Sequence, residues 1–281
     1  MPNRFQPWHL PERILTPPGR PLVMGILNAT PDSFSDGGRH ATVDAAIQHG
    51  KQMAAEGADI IDVGGESTRP YSEPVDTETE IQRVLPVIET LSKELQIPIS
   101  IDTSKSAVAE RAIAAGATIL NDVTGLEGDA AMPMLAKQTD VAVCAMHMRG
   151  NPQTMQDDPR YDDVVAEITD YLRRRRDALL DAGLRLERLC LDPGVGFGKT
   201  HQHNWELVQR AEAFQDLDCP ILIGHSRKGF IKKLVGEGIA DRDAGTLAVT
   251  LAMAAKGISV VRVHEVRRTV AALDVFARMC V

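Results

Sequence analysis

Nowhere does the chain hold a run of about eighteen uncharged apolar residues, the length a membrane-crossing helix requires. The first twenty residues, MPNRFQPWHLPERILTPPGR, mix charge, proline and aromatics where a signal peptide would need an apolar core. We therefore expect no membrane partner and a cytoplasmic location. Cysteine is scarce, and Cys144, Cys190, Cys219 and Cys280 show no CxxC spacing. This argues against a disulfide framework and against zinc; three of the four lie in or beside strand-like runs, where a free thiol acts as a small hydrophobe. Basic excess is missing as well, since 31 Lys+Arg against 39 Asp+Glu leave a net charge of -8. The longest basic run, Arg173 to Arg176, shares a helical pattern with Asp170 and Asp177 and reads as a solvated face, so nucleic acid is not an expected partner. No Pro/Ser-rich linker divides the 281 residues, which favours one domain.

What is present is a repeating alternation. Eight short, continuously apolar runs recur: Pro21 to Asn28, Asp59 to Gly65, Pro98 to Thr103, Thr118 to Val123, Val141 to His147, Leu189 to Gly194, Pro220 to Ser226 and Ile258 to Glu265. Strands covered on both faces look like this. Between them lie segments with apolar spacing near 3.6, including Val43 to Glu56, Glu78 to Leu95, Ala107 to Ala115, Val164 to Ala182, Trp205 to Phe214 and Ala244 to Lys256. Gly57, Gly116 and Gly183 follow helix ends and suit the left-handed C-cap before the next strand. Alternating strands and helices imply right-handed crossovers and a parallel sheet. The fold expected is α/β, a single (β/α)8 TIM barrel over residues 21–281 with an N-terminal extension, residues 1–20, that covers the barrel's bottom; an open doubly wound sheet is the alternative.

Barrel chemistry sits at the C-terminal strand ends, and all eight ends carry a polar or ionisable residue. They are Asn28, Asp62, Asp102-Thr103-Ser104-Lys105, Asn121-Asp122, Met146-His147-Met148, Asp192-Pro193-Gly194, Ser226-Arg227-Lys228 and Arg262-Val263-His264-Glu265. Singly, each has a bland reading as a helix cap or turn former; eight together point to a site. Two long loops, Ala29 to Arg39 and Gly65 to Asp76, read as lids over a substrate. Pro193 to Thr200 looks like a nucleotide loop but fits neither the Walker pattern nor GxGxxG, and Gly224 to Lys228 lacks the second glycine of a nucleophile elbow. Arg262 and His264 share a face of the last strand, with Asn28 on the adjoining first strand after closure, which suits an anion. Asp102, Asn121 and Asp192, with Lys228 across from them, suit a flat, amino-rich heterocycle, because a carboxylate accepts two parallel N–H bonds from a guanidine-like edge.

At this point a resemblance becomes visible. Met24 to Asn28 (MGILN) with Thr30 to Gly38 (TPDSFSDGG), Asp62 to Pro70 (DVGGESTRP), Ser100 to Ser104 (SIDTS), Met146 to Met148 (MHM), Leu191 to Gly194 (LDPG) with Gly196 to Lys199 (GFGK), Ser226 to Lys228 (SRK) and Arg262 to His264 (RVH) closely resemble dihydropteroate synthase, in that family's order. The resemblance implies condensation of a dihydropterin-methyl diphosphate with p-aminobenzoate, giving dihydropteroate and diphosphate on the folate pathway. It implies that Asn28 binds a magnesium ion, and that Arg262 and His264, assisted by Arg69, bind diphosphate. It further implies that Asp102, Asn121, Asp192 and Lys228 hold the pterin, with Met146 and Gly224 beside them, and that Phe34, Thr68 and Pro70 shape the p-aminobenzoate side. Asn28, Arg69, Lys228, Arg262 and His264 would be the catalytic set, and two copies would pair as a homodimer. Two positions depart from the family's usual residues: Tyr71 stands where glycine is usual and Gly229 where serine is frequent. Both bear on affinity for p-aminobenzoate and for the sulfonamides that mimic it. Rival readings are a pterin-binding methyltransferase, a non-catalytic pterin-binding paralogue and a sugar-phosphate isomerase on the same barrel.

Overall fold

A computed structural model describes residues 5–30 and 38–279 of the chain. After a two-residue hairpin, β1 (Trp8–His9) and β2 (Ile14–Leu15), the chain alternates strands and helices. The strands are β3 (Leu22–Asn28), β4 (Ile60–Gly64), β5 (Ile99–Asp102), β6 (Ile119–Asp122), β7 (Ala142–Met146), β8 (Leu189–Asp192), β9 (Leu222–Ile223) and β10 (Val260–Val263). The helices are α1 (Gly38–Ala55), α2 (Thr77–Glu94), α3 (Ser106–Ala114), α4 (Met132–Thr139), α5 (Val164–Asp181), α6 (His201–Gln209), α7 (Gly229–Val235), α8 (Ile239–Ala255) and α9 (Val266–Met279). All eight expected strands form. Of the helices, α4, α7 and α9 go beyond the segments named from periodicity.

Parallel pairing runs β8-β7-β6-β5-β4-β3-β10-β9, and one bridge, Leu191 to Ile221, joins the ends. The sheet is therefore a barrel, and the doubly wound alternative falls. Gly57, Gly116 and Gly183 all adopt positive φ (94°, 111° and 97°), as their capping role demands. Residues alternate in direction along each strand, which separates two cores. Outward residues such as Val23, Leu27, Ile61, Val63, Ile101 and Leu191 pack beneath the helices. Inward residues near the strand starts, among them Leu22, Met24, Ile60, Ile119, Cys144, Cys190, Leu222 and Val260, fill the lower lumen together with Trp8 and Leu10 from the extension. Trp8 is fully buried and donates its indole N–H to the Arg188 carbonyl (2.8 Å). Arg20 ties the same end shut through Asp59 (2.7 Å) and Asp274 (2.9 Å). Cys144, Cys190 and Cys219 are free and buried, and no helix among the described residues is long and apolar enough to cross a membrane.

Candidate active site

Two residues above that apolar layer, the same inward faces change character. Ile60 gives way to Asp62, Ile119 to Asn121, Cys144 to Met146, Cys190 to Asp192, Leu222 to Gly224 and Val260 to Arg262; Asp102 stands level with Asn121 in the register of β5 and β6. Strand geometry thus assembles the groups in one layer, although up to 200 residues separate them along the chain.

The centre of this layer is Arg262. Its Nε donates to Asp62 Oδ2 (2.6 Å) and its Nη2 to Asp102 Oδ2 (2.7 Å). Asn121 Nδ2 donates to the same Asp62 oxygen (3.1 Å), while Asp62 Oδ1 is buried with no hydrogen-bond partner among the described residues. Asp192 Oδ1 accepts the Gly194 N–H (2.7 Å). A Cβ at position 224 would lie 3.7 Å from Asp192 Oδ2, so Gly224 leaves that oxygen uncovered. The anion group and the heterocycle group expected from sequence are in fact one network, because Arg262 of the first donates to Asp102 of the second, and Arg262 and Asn121 both donate to Asp62.

Burial sets the protonation here. It pushes the Asp102 carboxyl up to about 7 against the opposing pull of Arg262, with Asp62 adding repulsion. It raises Asp192 to about 6, again first through desolvation and against the Gly194 N–H and Lys228. Lys228 falls to about 8, burial leading and Arg262 following. Burial also opposes the Arg262 charge, but Asp62 and Asp102 outweigh it and hold its proton more firmly.

Around this floor the loops add a rim. Ser226 Oγ accepts the His264 backbone N–H (3.2 Å) and lies within hydrogen-bond distance of His264 Nδ1 (3.0 Å). Burial, then Arg227, Arg262, Lys228 and Arg69, lowers His264 to about 3, so the ring is neutral and presents a donor. Lys228 Nζ lies 4.1 Å above the centre of the Phe197 ring. Phe197, Met146, Val123 and Met155 form an apolar wall with Met148 against it. Arg227, at φ 57°, turns outward to Asp243 (2.6 Å) and leaves Lys228 pointing inward.

Most of the residues expected from sequence thus share one mouth: Asp102, Asn121, Met146, Asp192, Gly224, Lys228, Arg262 and His264. Asn28 is half-buried at the end of β3, Thr68 half-buried in the loop after β4, and Arg69 and Pro70 exposed in that loop. Phe34 lies outside the described residues. Asp122 builds a turn, accepting from Thr124 N (2.7 Å) and Leu126 N (3.1 Å). Gly229 begins α7, where an added Cβ would approach His201 Cε1 to 3.1 Å. Sequence reasoning did not single out Asp62 as the anchor of Arg262, although its place two residues after Ile60 matched the other inward positions. It also passed over Lys199, which is 2% exposed. Its Nζ meets Phe197 O (2.7 Å) and His147 Nδ1 (2.9 Å) and so joins the loops after β7 and β8.

Comparison with known proteins agrees over nearly the whole length. The family profile described as "Pterin binding enzyme" matches residues 24–264. The dihydropteroate synthase of Escherichia coli (strain K12) is 46% identical over 255 residues, covering 91% of this chain and 90% of that one. The solved structure of Xanthomonas albilineans dihydropteroate synthase with 4-aminobenzoic acid has a TM-score of 0.90 at 46% identity, over 95% of this chain and 96% of that one. A structure of the X. albilineans enzyme in complex with 7,8-dihydropteroate has a TM-score of 0.88 at 42% identity, over 98% and 99%. Sequence, fold and the layer of charge in the barrel mouth converge: the chain belongs to the pterin-binding enzyme family, as a dihydropteroate synthase.

Proposed function

We propose that the barrel mouth divides its work by depth when it joins a dihydropterin-methyl diphosphate to p-aminobenzoate. The carrying observation is the single network in which Arg262 bridges Asp62 and Asp102 beside Asn121. Asp102, Asn121 and Asp192 accept from and donate to the edge of the pterin, whose amino and ring N–H groups match carboxylates that are otherwise expensive to bury. Met146 covers one face, and Gly224 keeps the approach to Asp192 open. Arg262, neutral His264 and Arg69 face the diphosphate. Lys228 stands between the two ends, and Phe34, Thr68 and Pro70 shape the p-aminobenzoate side.

The reaction exchanges one bond for another. The methylene C–O bond breaks, diphosphate carries the electron pair away, and the aniline nitrogen forms the new C–N bond and then loses its proton. No strong base is required, because a neutral aniline is already nucleophilic. The protein's contribution is to hold cationic donors where leaving-group charge develops and to keep water from the pterin-methyl cation. Anchoring Arg262 by two carboxylates fixes its guanidinium before substrate arrives, which spares reorganisation during the step.

Magnesium belongs to this proposal. Among the described residues no three His, Cys, Asp or Glu side chains converge on a point, so a cage of protein ligands is absent there. Asn28 offers one hard amide oxygen at the rim, which fits an ion held chiefly by phosphate oxygens and water. When bound, the ion would neutralise charge on the leaving diphosphate. The homodimer rests on family resemblance, and sedimentation velocity tests it. The division into a 1–20 extension and a 21–281 barrel is supported by the hairpin lying outside the strand repeat, and a cytoplasmic location by three free, buried thiols.

Asn28→Ala tests the diphosphate end of this division: calorimetry should show diphosphate binding in magnesium weakened about tenfold or more, with pterin binding retained. Diphosphate affinity equal to that of the parent protein removes Asn28 from this role.

A further inference from the structure

The loop from Gly65 to Asp76 is fastened at both ends, and the outer fastening is unusual. At its root, Lys105 Nζ bridges Glu66 Oε2 (2.5 Å) and the fully buried Glu80 Oε2 (2.6 Å). Glu66 Oε1 accepts the Val75 N–H (3.0 Å), and Arg83 holds the Gly65 carbonyl (2.8 Å). At its tip stands Tyr71, 66% exposed and at φ 63°, a left-handed conformation that favours glycine and that a bulky side chain enters only when its surroundings hold it there. What holds it is the segment after β7. The Tyr71 N–H donates to the Pro152 carbonyl (2.9 Å), its hydroxyl to Asp157 Oδ1 (3.3 Å), and Gln153 Nε2 donates to the Ser72 carbonyl (3.0 Å).

That segment is itself stiff and rooted in the site. Asn151 Oδ1 accepts from Gln153 N and Thr154 N (3.1 Å each). Met155 is buried in the apolar wall with Met146 and Phe197, and Gln156 Nε2 donates to the Gly196 carbonyl (2.9 Å), one residue before Phe197. A continuous path therefore runs from the loop carrying Thr68, Arg69 and Pro70, through Tyr71, to the turn whose Phe197 ring supports Lys228.

We propose that Tyr71 is a positioning residue that latches the 65–76 loop to the 151–157 segment, and that this latch governs how p-aminobenzoate is held. The second half rests on the assignment of Thr68 and Pro70 to the p-aminobenzoate side. An exposed, hydrogen-bonded latch opens often and cheaply, as a loop that must admit one substrate and release a larger product requires.

Amide hydrogen exchange across residues 65–76 in the substrate-free protein, with the KM for each substrate, tests this in Tyr71→Phe, Tyr71→Gly and Asp157→Ala. Tyr71→Gly should speed exchange about two- to fivefold, because losing the hydroxyl bond to Asp157 and the restricted backbone outweighs the strain that glycine relieves at φ 63°. Tyr71→Phe and Asp157→Ala should each speed it about two- to fivefold, and the pair together no more than either alone. The KM for p-aminobenzoate should rise about three- to tenfold in Tyr71→Gly while that for the pterin diphosphate stays unchanged. Unaltered exchange in Tyr71→Gly overturns the latch. Faster exchange with an unmoved p-aminobenzoate KM overturns its link to that substrate. Thr68→Ala separates the causes: if it too leaves that KM unmoved, the fault lies in the assignment of the p-aminobenzoate side.

Discussion

The bottom and the mouth of this barrel are built from the same strands, two residues apart, and they solve opposite problems. Below, Ile60, Ile119, Cys190 and Val260 close on Trp8 in an apolar plug. Above, Asp62, Asn121 and Asp192, buried, and Arg262, partly buried, replace them, and desolvation drives both Asp102 and Asp192 upward. The lower layer gains free energy by burial; the upper one spends it on charges whose full set of partners includes a substrate. Stability and chemistry are thus separated along the strand axis, so each should be alterable without the other.

The largest effect is expected where that separation is weakest, at Arg262. Arg262→Met strands the Asp62 and Asp102 carboxylates. It should cost about 3–5 kcal/mol in denaturant unfolding near neutral pH and lower turnover by on the order of a hundred- to a thousandfold. Trp8→Ala should match it in stability, about 3–5 kcal/mol, yet leave kcat and both KM values of the folded enzyme unchanged. A fall in kcat would show that the plug reaches the chemistry and would break the comparison.

Asp192→Asn sharpens the contrast, because function and stability should move in opposite directions. Losing a charge-assisted bond should weaken pterin binding about ten- to a hundredfold by calorimetry. The folded-state value of about 6 lies above the ordinary 3.8, so the stability Asp192 contributes is present below 3.8 and lost as pH rises through about 6. The variant should therefore melt above the parent near pH 8 and level with it near pH 4; equal melting at both pH values would refute the cost assigned to this buried carboxylate. Gly229→Ser is the smallest test. A serine there must displace His201 by a few tenths of an ångström, and should lower the KM for p-aminobenzoate modestly, up to about tenfold, with the pterin constant untouched.

The barrel was legible because strands shielded on both faces leave continuous apolar runs, and because Gly57, Gly116 and Gly183 mark helix ends by a conformation other residues avoid. α4 was less legible: it spans only Met132–Thr139, and its N-cap is Ala131, with no side-chain cap to announce it. β9 was over-read, from Pro220 to Ser226, because its ladder covers Leu222–Ile223, with one isolated bridge at Ile221 before it. In the site, residue types at strand ends were enough to gather Asp102, Asn121, Asp192, Lys228 and Arg262. Their pairing was not readable: whether Arg262 faces an anion or bridges Asp62 and Asp102 depends on barrel closure, which brings the last strand beside the first. The Lys199 tie to His147 and Phe197 was hidden for a different reason, since its GFGK setting resembles a solvated loop and only tertiary packing buries the amine.

Closure has a further consequence in time. β3 pairs with β10 as well as with β4, and Arg20 with Asp274, so the first barrel strand finds its second neighbour only when β10 has been synthesised. Until then β3 and the latest strand made both expose unpaired backbone edges, and Trp8 has no completed floor to enter. High contact order of this kind slows folding and lengthens exposure to mispairing during translation. The hairpin that seals the finished barrel is thus made before the strands it closes and docks among the last, and a chain stopped short of Val260 should remain soluble only while a chaperone covers its edges.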